Sequence, residues 1–318
     1  MIERFQHQMN RSACLLGLTL ALGATALPAG AQTMQTVRVA SVPLDVAGSV
    51  YYAYDLGYFA KLGLDVQITT LVTGGSAAAA VAGGAVDIGT SNLVSIAQAH
   101  ERGIPLVIIA PSGANANISP LEGIIVAKNS PITTAKDLAG KTIATTGLLN
   151  NMQVEADAWI EKNGGDYSSL KWVEVPGGAM GAAVASGRID AASPTEPYLS
   201  SALAAGDVRL LGYTVDAISP MVIEGAYFCT ADYAKAHPDV VKKFARALAQ
   251  AGAWANRNHD AATAILQKYS KATPVKTANH AIFPENFKPS DLQPLLDASA
   301  KYGALKTTFP ASEIVVGQ

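Results

Sequence analysis

Ala80-Val81-Ala82-Gly83-Gly84-Ala85-Val86-Asp87 returns 103 residues later as Ala183-Val184-Ala185-Ser186-Gly187-Arg188-Ile189-Asp190, and this repeat decides the fold. Five of the eight positions are identical, and a sixth sets Val against Ile. Each copy closes an Ala-rich helix with a glycine free to take φ > 0, then opens a strand at Val/Ile-Asp. At nearly the same offset, 104, Val39-Ala40-Ser41 matches Ile143-Ala144-Thr145, a strand ending in a hydroxyl residue each time. Two distant matches in one order imply two units of similar build.

Around these copies, short β-branched runs alternate with longer helix-period runs, the α/β signature of helices packed on a mostly parallel sheet. The first unit reads as strands at 37–40, 64–68, 86–88 and 106–109, with helices at 51–56, 77–82 and 93–102 between them. The pattern restarts with a strand at 141–144, a helix over 150–162 and a strand at 170–174. That helix carries Met152, Ala156, Trp159 and Ile160 on one face.

At 318 residues, 49% hydrophobic and 15% charged, the chain is too apolar to be disordered and long enough for two lobes. A formal charge of −2 offers no basic field for nucleic acid or an anionic membrane. Arg4 and Arg11, an apolar run over 13–27 and the small residues Ala29 and Ala31 read as a cleaved secretory signal, residues 1–31. The apolar run falls short of the roughly 20 residues that a membrane span needs. Cys14 stands before the run rather than after it, where a lipid anchor would require it. The mature chain should therefore begin at Gln32, soluble and in the periplasm, and N-terminal sequencing of the secreted form checks this. Only Cys229 then remains, so no intramolecular disulfide forms.

Several motifs carry less than they suggest. Ala135-Lys136-Asp137-Leu138-Ala139-Gly140-Lys141-Thr142 imitates a phosphate loop at its Gly-Lys-Thr end, but it begins with alanine and leads into a strand. His100, His237, His259 and His280 are far apart in sequence and form no His-x-x-x-His pair, so they read as surface residues and no metal site is expected. Neither a nucleophile elbow nor a dinucleotide fingerprint occurs, and no cofactor is expected. Cys229 reads as a small buried hydrophobe.

Ligands of open α/β sheets sit beyond the carboxyl ends of the strands, where helix N-termini offer free N–H groups. Both copies place polar loops there. The candidate ligand residues are Ser41, Asp45 and Tyr52; Gly75 and Ser76; Ser91 and Asn92; Thr145, Thr146 and Asn150; and Thr195 and Glu196. Any single hydroxyl among them is also a plausible helix cap, so the reading rests on convergence. Glu196 is two-sided, open to a ligand amine or to a base such as Arg188. Tyr51, Tyr52 and Tyr198 offer flat faces for stacking or for packing. These loops hold no Arg or Lys, so an anion would be held by helix N-termini and hydroxyls.

Leu56-Gly57-Tyr58-Phe59-Ala60-Lys61-Leu62-Gly63-Leu64-Asp65-Val66, Gly74-Gly75-Ser76, Gly84-Ala85-Val86-Asp87-Ile88-Gly89, Asp137-Leu138-Ala139-Gly140-Lys141-Thr142-Ile143-Ala144 and Thr195-Glu196-Pro197 fall in one order. Together they resemble extracytoplasmic solute-binding proteins of ABC importers, in the nitrate/sulfonate/taurine and thiamine-precursor group. The resemblance covers roughly 36–270. It implies a two-lobe periplasmic-binding-protein fold of type II, hinged on two crossing strands, which closes as a monomer on one small molecule and delivers it to permease subunits. The crossings fall at 123–127 and at 221–228, which puts lobe one at 36–123 plus 227–318 and lobe two at 124–226. The helical tail, from Pro238 to Tyr302, then packs on lobe one. A small anionic solute, such as a sulfonate, carboxylate or nitrate, is the favoured ligand, although an aromatic acid or pyrimidine also suits the tyrosines. Two other readings share this fold: an enzyme of thiamine-pyrimidine or menaquinone-precursor type, and a ligand-presenting partner of a membrane sensor. The leader and the lack of a histidine/cysteine cluster argue against the enzyme.

Overall fold

The repeated aspartate makes the same bonds in both copies. Asp87 accepts from the backbone N–H of Arg38 at 2.8 Å, and its own N–H donates to the Arg38 carbonyl at 2.9 Å. Asp190 does the same with Thr142, at 2.9 and 3.0 Å. Three residues before each aspartate a glycine turns the chain out of its helix, Gly84 at φ 71° and Gly187 at φ 70°, a conformation that costs any other residue a steric clash. The motif is thus a staple that fixes the entry of one strand against the start of its neighbour. Asp87→Ala removes that staple and a bidentate pairing with the Arg38 guanidinium. It should cost about 1–3 kcal/mol, read as a lower urea midpoint at unchanged slope. A loss no larger than that of the exposed Asp207→Ala would show the motif to be decorative.

The computed structural model describes residues 34–71, 74–270 and 279–316; the leader expected at 1–31 lies outside them. The chain begins β1 (Gln35–Ser41), α1 (Ser49–Asp55), α2 (Tyr58–Lys61), β2 (Leu64–Thr70), α3 (Gly74–Ala82), β3 (Ile88–Asn92), α4 (Leu93–Glu101) and β4 (Leu106–Pro111). It continues through β5 (Ala114–Ala116), β6 (Gly123–Ala127), β7 (Thr142–Thr145), α5 (Asn151–Lys162), β8 (Lys171–Glu174), α6 (Gly177–Ala185), β9 (Ala191–Ala192), α7 (Tyr198–Ala205) and β10 (Val208–Tyr213). It ends with β11 (Met221–Ile223), β12 (Gly225–Thr230), α8 (Ala231–Ala236), α9 (Pro238–Ala255), α10 (His259–Gln267) and α11 (Gln293–Lys301).

Two five-stranded sheets result, ordered β2-β1-β3-β12-β4 and β8-β7-β9-β6-β10. Written this way they correspond strand for strand. Val39 lies opposite Ile88 in the first sheet, as Ile143 lies opposite Ala191 in the second. β12 runs antiparallel to β3 and β4, as β6 does to β9 and β10. Side chains of each strand alternate between two packed faces: Ile125 joins Ala144 and Met180 on one side of the second sheet, while Ile124 and Val126 join Ile143 and Ile160 on the other. Burying each such aliphatic side chain stabilises the fold by about 1.5–3 kcal/mol.

The structure corrects two expectations. Gly123–Ala127 is not a crossing but an interior strand of the second sheet, because its Ile-Ile-Val run has both faces covered. The segments that run between the sheets are 112–122 and 214–224, and within them β5 and β11 pair antiparallel. The tail also reaches further than expected. α9 packs against α1 and β4, with Phe244 stacked on Phe59 at 5.0 Å, but α11 touches both α4 and α5. Lys301 at its end pairs with Glu161 of α5, to which the Tyr302 hydroxyl donates at 2.7 Å. No helix among the described residues is long and apolar enough to cross a membrane.

Candidate functional site

The strand ends of the two sheets carry the residues singled out from sequence, and the structure sorts them into two groups. The first gathers around Asp45 in the loop after β1. Its carboxylate accepts from the Tyr52 hydroxyl at 3.0 Å and the Ala281 N–H at 2.8 Å, and it stands 3.5 Å from His280 Nδ1. That pairing raises the His280 imidazole above its usual pKa, against the opposing effect of burial, and Glu196 adds to it. His259 stacks on His280 with ring centroids 4.7 Å apart, so two histidines distant in sequence meet. Glu196 is buried and accepts from Ser200, backbone N–H at 3.2 Å and hydroxyl at 2.7 Å; burial lifts its pKa. Arg188 is not its partner and bonds Ser186 instead.

The second group surrounds the starts of α4 and α5. Asn92 caps α4, accepting from the Ser95 N–H at 2.9 Å, and Asn150 caps α5, accepting from Gln153 at 3.0 Å. Buried Thr145 donates to Asn150 Oδ1 at 3.1 Å, while Thr146 stays exposed and accepts from Asn150 at 3.2 Å. Ser91 is buried with its hydroxyl unpartnered. The two helix starts meet directly through Asn151, whose Oδ1 accepts from the Val94 N–H at 3.1 Å.

Other candidates sit apart from both groups. Gly75 and Ser76 open α3 at the surface. Ser41 is buried at the end of β1, its carbonyl accepting from Tyr51 at 3.1 Å, and buried Thr195 bridges to Glu122. The tyrosines pack rather than present faces: Tyr51 lies on Tyr269, Tyr52 is wholly buried beside Trp254 and Phe283, and Tyr198 covers Gly177. Cys229 is buried, which pushes its thiol up to about 12.

Sequence reading passed over three glutamates, Glu122, Glu155 and Glu224, all buried and each offering an oxygen within 4.8 Å of the others. Burial and the mutual proximity of like charges raise Glu122 and Glu155; burial pushes Glu224 up to about 7. A signal for two of them was present. Glu122-Gly123 and Glu224-Gly225 are the same dipeptide entering β6 and β12, which are equivalent strands of the two sheets.

Residues 46–262 match the family described as NMT1/THI5 like. The chain belongs to that family. Among the relatives of this NMT1/THI5-like chain, a formylaminopyrimidine-binding protein of Halalkalibacterium halodurans is 27% identical over 239 residues, 74% of this chain and 71% of the relative. A 4-amino-5-hydroxymethyl-2-methylpyrimidine phosphate synthase of Saccharomyces cerevisiae is 24% identical over 64% of this chain, which spans 61% of the synthase. Of solved structures, the aliphatic sulphonate binding protein SsuA of Escherichia coli aligns with a TM-score of 0.70 at 18% identity, over 89% of this chain and 92% of that one. The nitrate-binding protein NrtA of Synechocystis aligns at 0.71 and 17%, over 89% and 86%. At such identities the likeness is one of fold: this family member has the two-lobe periplasmic-binding-protein architecture.

Proposed function

We propose that the chain is the extracytoplasmic substrate-binding protein of an ABC importer, acting in the periplasm, with its two lobes dividing within segments 112–122 and 214–224, close to the 123/124 and 226/227 boundaries read from sequence. The observation that supports this most is the correspondence of the two sheets: equivalent strand ends carry polar loops, linked by the paired segments holding β5 and β11. Two lobes so joined select a closed population when a solute contacts both. The buried, high-pKa thiol of Cys229 makes a poor nucleophile.

The loops around the site supply Asp45 and Glu196 but no Lys or Arg. Such a lining favours a solute rich in hydrogen-bond donors, a class to which an aminopyrimidine belongs, over the sulfonate, carboxylate or nitrate expected from sequence. The start of α3 at Gly75 and Ser76 is the feature that suits an anion.

Titration calorimetry with a formylaminopyrimidine, an alkanesulfonate and nitrate, with scattering at saturation, tests both levels. The pyrimidine should bind and shrink the radius of gyration. Tight binding of an anion alone overturns the ligand class, an unchanged radius overturns closure, and formation of a pyrimidine phosphate by the purified protein favours the synthase alternative. Thr146→Ala should weaken binding about 3- to 30-fold with the melting temperature unchanged, since Thr146 is exposed. Asn92→Ala should also lower stability by about 0.5–2 kcal/mol, because Asn92 caps α4.

A further inference from the structure

Three segments far apart in the chain bring carboxylates to one enclosed place. Glu122 precedes β6, Glu224 joins β11 to β12, and Glu155 lies one turn into α5 from Asn151. Their exposures are 2%, 6% and 0%. Two carboxamides are aimed at them. Asn115 donates to Glu155 Oε2 at 2.9 Å while its own oxygen accepts the Leu121 N–H at 2.8 Å. Asn151 donates to Glu224 Oε2 at 3.2 Å while its oxygen is held by Val94. Both amides are thus fixed with their NH2 groups toward the carboxylates.

A second observation concerns what is missing from this pairing. Glu122 Oε2, Glu155 Oε1 and Glu224 Oε1 are buried and accept from no donor outside the cluster, Glu155 and Glu224 facing each other. The groups acting on the three carboxyls are one another and the neutral donors Thr195, Asn115 and Asn151, with no basic side chain among them. Buried carboxylates persist when paired or bound to a metal, and an unpartnered buried oxygen costs about 1–3 kcal/mol. Clustered carboxylate oxygens without sulfur or imidazole are the donor set of hard divalent cations.

We propose that Glu122, Glu155 and Glu224 form a binding site for a hard divalent cation of the Ca2+ or Mn2+ type, set where both inter-sheet segments pass α5. A bound cation ties segments 112–122 and 214–224 to the first turns of α5, and so stiffens the connection about which the lobes move. This reading is independent of which solute the cleft takes.

Full-length mature protein stripped with a chelator, at pH 8, tests it with the metals alone. Titration with Mn2+ should quench the free-ion electron paramagnetic resonance signal at about one ion per chain, and Ca2+ should compete it off. Saturating Ca2+ should raise the melting temperature by about 5 °C or more. Glu155→Gln and Glu224→Gln should each abolish quenching and the thermal shift. Both should fold at least as stably as the metal-free wild type, because each replaces a buried acid with a neutral isostere. A free-ion signal unaffected by wild-type protein overturns the proposal. So does equal Mn2+ binding by wild type and Glu155→Gln, which places the ion elsewhere.

Discussion

Asp157→Asn should make the protein more stable at pH 8, by about 2–4 kcal/mol, and the gain should vanish near pH 4. Asp157 lies on the buried face of α5, where burial pushes its carboxyl up to about 7 although Trp172 Nε1 donates to it at 3.2 Å. The folded state therefore holds a proton that the unfolded chain, titrating near 3.8, has released. Stability from this group is complete below the unfolded value and is lost as pH rises through about 7. Asparagine keeps the oxygen that Trp172 needs and removes the charge. Thermal melts of both proteins between pH 4 and 8 decide it: a gain of several degrees at pH 8 that shrinks with acid supports burial as the cause, and an equal gain at every pH rules it out.

Gly225→Ala should do the opposite, costing about 1–3 kcal/mol or more. Gly225 starts β12 opposite Asn92, and an added Cβ would stand 2.2 Å from the Ser91 carbonyl oxygen and 3.1 Å from Asn92 Cα. Those are backbone atoms of β3, which cannot swing aside as a side-chain tip can. β12 has to move off β3, loosening the bond from the Leu93 N–H to the Glu224 carbonyl and, with it, the start of α4. Solute affinity should fall with stability. Gly75→Ala is the control: nothing lies within 4 Å and the residue is helical, so it should stabilise by about 0.5–1 kcal/mol. If both variants shift the denaturation midpoint alike, close approach of β12 to β3 is not what selects glycine at 225.

Sequence carried the repeated units and their order because those signals are local. A glycine that leaves a helix at φ near 70° and an aspartate that staples the next strand must each be present in the chain itself, at Gly84-Asp87 and Gly187-Asp190. The position of the crossings was less legible. An apolar run such as Ile124-Ile125-Val126 reads equally as a passage or as a central strand until its antiparallel partners β9 and β10 are known. Polar residues at the strand ends were legible, but not which of them cap a helix, as Asn92 does, or bond the start of α7, as Glu196 does through Ser200, since a cap and a ligand contact use the same side chain. The meeting of His280 with Asp45, or of Glu155 with Glu224, depends on segments more than sixty residues apart and leaves no periodic trace. Only the Glu-Gly pair before β6 and β12 hinted at it, as a third match between the units.

The insertion of β12 between β3 and β4 also sets an order of events during synthesis. β3 and β4 leave the ribosome by residue 111, but the strand that joins them is not made until residue 225. The second sheet has no such delay, for its five strands form one uninterrupted stretch from 123 to 213. The middle stretch, 123–213, can therefore fold while the first sheet waits, with the facing edges of β3 and β4 open to wrong partners and to proteases. A chain cut short before residue 225 keeps those edges open for good, so completion of the first sheet marks a finished molecule from a truncated one.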